Sequence, residues 1–279
     1  MNYTCVNGKI VPAGQPILMA DNRSYRYGDG LFETLKVWHK QICLSDYHFD
    51  RFFAGLRLLR METPPHLDSV KLTERILLLC EKNQCGLLAR VRLSASRGNG
   101  GLYEEKPGFL YIIECWPVTE AVNQLNTNGL VIDIFPDARK SSDAFSQLKS
   151  ANFLPYAMAA QYAREHKLND CLVLNHHDRI ADATIANLFL VKDNILITPP
   201  LSEGAVGGVM RKYLLDQCHS TGYPAIEQPV APEDIAAADE IFLTNAINGI
   251  RWVKQFGEKL YSNRQTVEIY NRFIKTIWE

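Results

Sequence analysis

The chain has 279 residues, of which 47% are hydrophobic and 22% charged, and its formal net charge is −1 at pH 7. This composition excludes a disordered or fibrous protein, and the length is enough for one large or two medium domains. The near-zero charge gives no reason to expect nucleic acid or an anionic membrane as a partner. No apolar run approaches the roughly 20 residues that span a bilayer.

The first residues and the cysteines favour a cytoplasmic protein. Residues 1–5 lack the basic and hydrophobic regions of a secretion signal. The seven cysteines occur singly, with no CxxC pair, so we expect reduced thiols and neither a disulfide framework nor a metal site. His176-His177 lies between two apolar strands, which favours a hairpin turn over a metal site.

Residues 1–118 predict an N-terminal α+β domain, in which helices cover one side of a mainly antiparallel sheet. Asn7-Gly8 is a strong hairpin signal. The polar segment 21–30 is expected to be a loop that the following strand holds in place, and such loops often carry function. Ser45 is the predicted N-cap of the first helix. The other predicted elements are a strand at 10–11, a strand at 31–38, helices at 46–60 and 68–83, and strands at 87–95 and 109–115.

Arg51 lies on the first predicted helix but off its apolar stripe, which is formed by Phe49, Phe52, Phe53, Leu56 and Leu59. From the helical wheel alone, a solvated surface arginine is the simpler interpretation.

Residues 119–128 are polar and weakly patterned, and we interpret them as a linker. Residues 129–279 are the predicted C-terminal domain. Its predicted elements are strands at 130–135, 171–174, 188–191, 195–198, 225–228, 240–244 and 250–256, helices at 152–166, 208–221 and 264–278, and a short helix after Pro232.

Lys149 lies where an irregular segment meets a predicted helix, whereas most lysines line solvated helix faces. Two other features of the sequence favour a functional role for Lys149. Asp182 precedes an apolar strand, and a glycine-rich stretch at 204–211 opens a helix. An amine, an anion and a phosphate-binding helix start are what a pyridoxal phosphate (PLP) site requires. The other lysines have no comparable partners in the sequence.

In the order and spacing of its motifs, the chain resembles the class IV aminotransferase family of fold-type IV PLP enzymes. The motifs are Tyr27-Gly28-Asp29-Gly30, Arg51, Leu148-Lys149-Ser150-Ala151-Asn152, 182–189, 207–211 and Thr244-Asn245-Ala246. The resemblance implies a D-amino acid aminotransferase-like α+β fold, with a small N-terminal domain and a larger C-terminal PLP-binding domain that has a barrel-like sheet. It also implies a small-molecule substrate and a homodimer with active sites at the subunit interface.

The resemblance assigns expected roles residue by residue. Lys149 would hold the PLP aldehyde as an imine and then act as general acid and base, Arg51 would bind the phosphate, and Asp182 would face the ring nitrogen. The remaining expected cofactor contacts are Gly208, Val209, Met210, Asn245 and Ala246, and the candidate substrate contacts are Tyr27, Arg26 and Arg251. No metal is implied.

Asp182 departs from the family pattern, which has glutamate at this position. Aspartate is one methylene shorter, about 1.5 Å. Either the backbone lies closer to the ring or a water bridges the gap.

Smaller motifs favour one branch of the family. Lys149-Ser150-Ala151-Asn152 is similar to lyases and D-amino acid enzymes, and Gly208-Val209-Met210-Arg211 is similar to the G-I-M-R of 4-amino-4-deoxychorismate lyases, where aminotransferases usually have G-I-T-R. Two positions differ from the lyases. Leu102 replaces an arginine for which Arg26, Arg139 or Arg251 could compensate, and Trp252 replaces a proline.

The sequence therefore favours a lyase that forms 4-aminobenzoate and pyruvate for folate synthesis. An aminotransferase for D- or branched-chain amino acids is the alternative. A third interpretation is a family member kept only for binding, which Asp182 would allow.

Overall fold

The computed structural model describes residues 1–104 and 108–279, and the chain forms two compact units. The first unit contains Met1–Glu120 and Lys149–Phe153, and the second contains Ala121–Leu148 and Leu154–Glu279. The segment 149–153, predicted inside the C-terminal domain, groups with the first unit because it runs beside a strand there. The Phe32 N–H donates to the Lys149 carbonyl at 2.9 Å.

The first unit contains a six-stranded sheet in which every neighbouring pair is antiparallel, as predicted. Its strand order is β2-β1-β6-β5-β3-β4. The strands are β1 (Tyr3–Val6), β2 (Lys9–Pro12), β3 (Gly30–Trp38), β4 (Gln41–Ile42), β5 (Leu88–Arg97) and β6 (Phe109–Pro117), and the helices are α1 (Arg23–Tyr27), α2 (Ser45–Leu58) and α3 (Ser69–Lys82). The Asn7-Gly8 turn between β1 and β2 is confirmed.

Two local predictions for this unit are wrong. The N-cap of α2 is Leu44, with φ +53° and no side-chain capping bond, and Ser45 is the first helical residue. The predicted loop at 21–30 contains helix α1. The Asn22 side chain caps its start by accepting the N–H groups of Ser24 and Tyr25, which is the reason that this polar segment is helical.

The cysteines are free thiols, but three of them are not isolated in space. The sulfurs of Cys80, Cys85 and Cys115 lie within 4.8 Å of one another in the buried part of the first unit. This cluster was not predictable from the spacing of the cysteines, because Cys115 lies on β6 and the other two belong to α3 and the turn after it.

The second unit is built on a curled half-barrel sheet, which confirms the predicted barrel-like sheet. The strand order is β12-β11-β10-β13-β14-β7-β8-β9, and β15 pairs with β14. Its strands are β7 (Leu130–Lys140), β8 (Asp170–Asn175), β9 (Ile180–Ala183), β10 (Asn187–Lys192), β11 (Ile195–Thr198), β12 (Ala225–Glu227), β13 (Glu240–Asn245), β14 (Gly249–Phe256) and β15 (Lys259–Leu260). Its helices are α4 (Leu154–Glu165), α5 (Val209–Thr221), α6 (Pro232–Ala237) and α7 (Arg264–Ile269).

The last predicted helix, 264–278, is regular only to Ile269. A π turn at Tyr270–Ile274 and a 3-10 turn at Lys275–Ile277 follow. The Tyr270 hydroxyl and the Trp278 indole both donate to the Asn123 carbonyl, and the wider turn allows both side chains to reach it.

The histidine pair at 176–177 lies in the turn between β8 and β9, as predicted. The Asn175 side chain accepts the N–H groups of His177 and Arg179 and closes that turn. In the part of the chain that the structure describes, no helix is long and apolar enough to cross a membrane.

Candidate active site

Lys149 lies beside the start of β3, and its side chain is held between two aromatic rings. Its Nζ is 4.6 Å from the ring centroid of Phe32 and 5.5 Å from that of Phe153. The two rings themselves meet edge to face at 5.5 Å. Cation–π attraction fixes the amine in this position, so Lys149 is oriented by side chains of the first unit and does not lie along an open surface.

The glycines of Tyr27-Gly28-Asp29-Gly30 let the chain pack closely against the segment that carries Lys149. Gly28 has φ +65°, and a Cβ there would lie 3.3 Å from the backbone of Asn152. A Cβ on Gly30 would lie 2.7 Å from a carbonyl of β5. The Asp29 carboxylate accepts from Arg23 at 2.8 Å and also from Arg97, which fixes the turn.

The two candidate substrate residues of this region lie on α1. Tyr27 is exposed, with the Arg23 guanidinium 5.7 Å from its ring centroid. Arg26 is also exposed and donates to the Ala20 carbonyl at 3.1 Å. Their contacts with substrate stay predictions.

Arg51 belongs to a buried network that the helical wheel did not reveal. Its Nε and Nη2 donate to the Glu33 carboxylate at 2.7 and 2.6 Å, and His48 Nδ1 lies 2.7 Å from the same carboxylate. Burial opposes ionisation, but the charge of Arg51 and the hydrogen bonds from His48 and Arg51 lower the pKa of Glu33 to about 2. The Arg51 guanidinium is therefore oriented from β3, and its predicted phosphate contact stays a prediction.

A cavity of about 220 Å³ lies in the first unit, next to the ring that supports Lys149. Phe32, Arg92 and Glu114 line it, together with Ser94 and Ser96. The Arg92 guanidinium carbon is 3.6 Å from the Phe32 ring centroid, and its Nε donates to Ser94 at 3.1 Å. Burial lowers the pKa of Arg92, although Glu114 opposes this. A partly desolvated guanidinium facing a cavity can bind a carboxylate.

Asp182 is buried in the second unit on β9. Its carboxylate accepts from the Tyr156 hydroxyl at 2.9 and 2.8 Å, from the Val206 N–H at 2.8 Å and from Lys140 Nζ at 3.4 Å. Lys140 has no such partner nearby in the sequence, but the fold places it in contact with Asp182. The two residues are 42 positions apart in the chain, so only the pairing of β7, β8 and β9 brings them together.

The start of α5 is a candidate anion-binding turn. Gly208 is its N-cap and leaves the first N–H groups without a side-chain cap. A Cβ at Gly208 would lie 1.8 Å from Asn187 Oδ1, so a side chain there would displace the buried Asn187 amide. The Asn187 amide in turn donates to the Val206 carbonyl at 2.8 Å. Val206 thus connects this turn to Asp182.

The 244–246 turn lies next to Asn187. Thr244 pairs with Asn187 across β13 and β10, and its buried hydroxyl has no hydrogen-bond partner among the described residues. Asn245 Oδ1 accepts the N–H groups of Ile247 and Asn248, so its side chain holds the turn. Arg251 lies on β14, opposite Leu243 of β13. Burial lowers the pKa of Arg251.

The profile of the Amino-transferase class IV family matches residues 30–256. The chain belongs to the class IV aminotransferases. Members of this family are PLP-dependent enzymes, and so is this chain.

Relatives of this class IV aminotransferase include both activities considered above. Branched-chain-amino-acid aminotransferase 6 of Arabidopsis thaliana is 28% identical over 250 residues, covering 85% of this chain and 70% of the relative. The 4-amino-4-deoxychorismate lyase structure from Pseudomonas aeruginosa has 28% identity and a TM-score of 0.81, covering 96% of this chain and 97% of that one. A hypothetical aminotransferase from Mycobacterium tuberculosis, solved in a PLP-bound form, has a TM-score of 0.84 at 19% identity. The match covers 99% of this chain and 98% of that one.

The donor set of the second unit fits the cofactor of a class IV aminotransferase. Asp182 would supply an anion for a ring nitrogen, the uncapped start of α5 would supply N–H groups for a phosphate, and Thr244 has an unsatisfied hydroxyl beside that turn. Thr244 belongs to the Thr244-Asn245-Ala246 motif, but its side chain was not predicted to be a donor.

The other missed residues are Glu33, His48, Arg92, Lys140 and Tyr156. A weak signal existed for Tyr156, which shares the buried face of α4 with Ala159 and Ala163 and so had to pair its hydroxyl inside the unit. Glu33 gave a similar signal, as an acidic residue in an otherwise buried strand.

Proposed function

We propose that this chain is a PLP-dependent 4-amino-4-deoxychorismate lyase, which converts aminodeoxychorismate to 4-aminobenzoate and pyruvate. The observation that carries this proposal is Met210, the second residue of α5, which is 1% exposed. A thioether at this position has no hydroxyl to offer at the anion-binding turn, whereas the aminotransferase motif carries threonine. Sequence identity does not distinguish a lyase from an aminotransferase, because these two relatives, one of each activity, are both 28% identical to this chain.

The proposed roles follow from the donors on each unit. Bound PLP supplies an electron sink for the carbon next to the substrate amine. The Lys149 Nζ takes the proton from that carbon and returns a proton as the enolpyruvyl group leaves. Asp182 holds the proton of the ring nitrogen, and Arg51, Asn245, Ala246 and the start of α5 bind the phosphate.

Arg92 is our candidate for a substrate carboxylate contact, in place of the arginine that Leu102 replaces. Leu102 is exposed, whereas Arg92 faces a cavity beside the ring that holds Lys149. Aminodeoxychorismate carries two carboxylates, and a guanidinium binds a carboxylate through two parallel hydrogen bonds. Tyr27, Arg26 and Arg251 remain further candidates.

The decisive experiment incubates the PLP-loaded protein with aminodeoxychorismate and measures 4-aminobenzoate by chromatography and pyruvate by a coupled dehydrogenase. Equal amounts of both products are expected, and none from Lys149→Ala. Borohydride reduction followed by peptide mapping should label Lys149. Rapid transamination without 4-aminobenzoate would refute the lyase proposal.

An aminotransferase is the second candidate, favoured by the Arabidopsis relative and by the ability of Arg92 to bind an amino acid carboxylate equally well. It predicts that D-alanine or a branched-chain amino acid alone converts the cofactor to its pyridoxamine form. The loss of visible absorbance would report this conversion.

We further propose a homodimer, a role in folate synthesis and a cytoplasmic location. The location is supported by seven free thiols, three of them clustered, which a reducing compartment preserves. Analytical ultracentrifugation tests the dimer, and a mass of one chain, 31.6 kDa, would contradict it.

A further inference from the structure

The two oxygens of Asp182 are bonded unequally. Oδ2 accepts from the Val206 N–H, the Tyr156 hydroxyl and Lys140 Nζ, at 2.8, 2.8 and 3.4 Å. Among the described residues, Oδ1 accepts only from the Tyr156 hydroxyl, at 2.9 Å. That hydroxyl has a single hydrogen to share between the two oxygens. Oδ1 therefore keeps most of its capacity to accept a further donor.

Lys140 and Tyr156 are themselves locked in place. Lys140 is the last residue of β7, opposite Asn175 of β8, and its Nζ lies 4.9 Å from the centroid of the Tyr156 ring. Tyr156 lies in the first turn of α4, and both side chains are buried. Burial and the neighbouring Asp182 raise the pKa of Tyr156 well above its usual value, so the phenol remains a donor.

Lys140 compensates the buried negative charge of Asp182. Asp170 is a second buried carboxyl near Asp182, and burial, together with the charge of Asp182, raises its pKa. An unpaired buried carboxylate is costly. Among the described residues, Lys140 is the only cation within hydrogen-bond distance of Asp182. Lys140 offsets the cost of burying this carboxylate through its contact with Oδ2, and it does not occupy Oδ1.

We propose that Lys140 and Tyr156 are positioning residues, which hold the Asp182 carboxylate in the single orientation that presents Oδ1 to the ring nitrogen of the cofactor. This inference rests on the role proposed for Asp182. It explains how an aspartate serves where the family pattern has glutamate. Lys140 and Tyr156 hold Oδ2 of the shorter side chain, so the carboxylate cannot rotate and Oδ1 keeps its position.

The test compares Lys140→Met and Tyr156→Phe with a matched control, Tyr261→Phe. Tyr261 is another buried tyrosine of the second unit, and its hydroxyl donates to the Ile235 carbonyl at 2.7 Å. Each protein is reconstituted with PLP labelled with ¹⁵N at the ring nitrogen. The nitrogen chemical shift reports protonation of the ring, and a fluorescence titration gives the PLP dissociation constant. Neither measurement needs a substrate, so the result is independent of whether the protein is a lyase.

Both variants should move the ring-nitrogen signal toward that of neutral pyridine. They should also weaken PLP binding by about tenfold, as expected for the loss of one hydrogen bond to a charged group. With a substrate, kcat should fall while KM changes little. Tyr261→Phe should match the wild type in every one of these measurements.

A purely structural role predicts a different outcome, in which the melting temperature falls but the ring signal and PLP affinity stay at wild-type values. That outcome would overturn the inference. Should Tyr156→Phe fail to fold, Lys140→Met decides by the same two measurements. Failure of the proposed lyase function looks different again, since 4-aminobenzoate would be absent while the ring signal still responded to both variants.

Discussion

Two buried carboxylates, Glu33 in the first unit and Asp182 in the second, show how similar burial serves different ends. The side chains of both are 2% exposed. Glu33 meets Arg51 through both oxygens and His48 through one, all at 2.6 to 2.7 Å. Asp182 meets one ammonium at 3.4 Å, and its other donors are neutral.

We call the Glu33 network closed, because guanidinium and imidazole donors reach its two oxygens at short distance. We call the Asp182 network open, because Oδ1 accepts only the shared Tyr156 hydroxyl among the described residues. Glu33 is held by two short hydrogen bonds from the Arg51 guanidinium and one from the His48 imidazole, so it stabilises the first unit and orients Arg51. Asp182 keeps one oxygen available, as a ligand-binding carboxylate must. The charge and the distance of the hydrogen-bond donors therefore distinguish these residues better than burial does.

The largest effect should come from opening the closed network. Glu33→Gln leaves Arg51 and His48 without an anion, and the loss of one partner of a buried pair costs about 3 to 5 kcal/mol. Urea denaturation of the wild type and the variant measures the free energy of unfolding. Glu74→Gln is the control, because its ion pair with Lys71 is about half exposed and should contribute less than about 1 kcal/mol.

Acid should open the same network without a mutation. The pKa of Glu33 is about 2 in the folded protein, against an ordinary value of 4.5. Its contribution is present above pH 4.5 and is lost as the pH falls through 2, and it amounts to about 3 kcal/mol. The stability difference between the wild type and Glu33→Gln should therefore shrink below pH 4.5. A constant difference down to pH 2 would contradict this linkage.

Neutralising the open carboxylate should affect catalysis more than folding. Asp182→Asn keeps the size and most hydrogen-bonding positions of the side chain, but it cannot hold the ring-nitrogen proton. We expect kcat to fall by about a hundredfold, which corresponds to about 2.7 kcal/mol in the barrier. Thermal melting should show that the variant folds. Unchanged kcat would mean that Asp182 is as structural as Glu33.

The smallest effect should be at Arg92, whose charge is only partly desolvated. Arg92→Met should raise KM by about tenfold, or about 1.4 kcal/mol, and leave kcat unchanged, because the contact is remote from the reacting carbon. Arg90→Met is the matched control on the same strand, since Arg90 is exposed and lies 5.9 Å from the Trp116 ring centroid. Equal KM values for the two variants would exclude Arg92 as a carboxylate contact.

Much of this architecture was predictable because it is local. The hairpin at Asn7-Gly8 and the glycine at the start of α5 each depend on residues a few positions apart. The helix at 21–30 was missed although its Asn22 cap is local, because a polar, glycine-bearing segment is more often a loop.

The amino-acid sequence by itself determined the family, the PLP cofactor and the general fold, since these depend on motif order and on the period of apolar residues. Only the tertiary structure decided which side chains surround each candidate. Lys140 reaches Asp182 through parallel and antiparallel strand pairings, and Glu33 reaches Arg51 across a strand and a helix. Such contacts depend on sheet register and side-chain direction, which act over distances that sequence spacing does not encode.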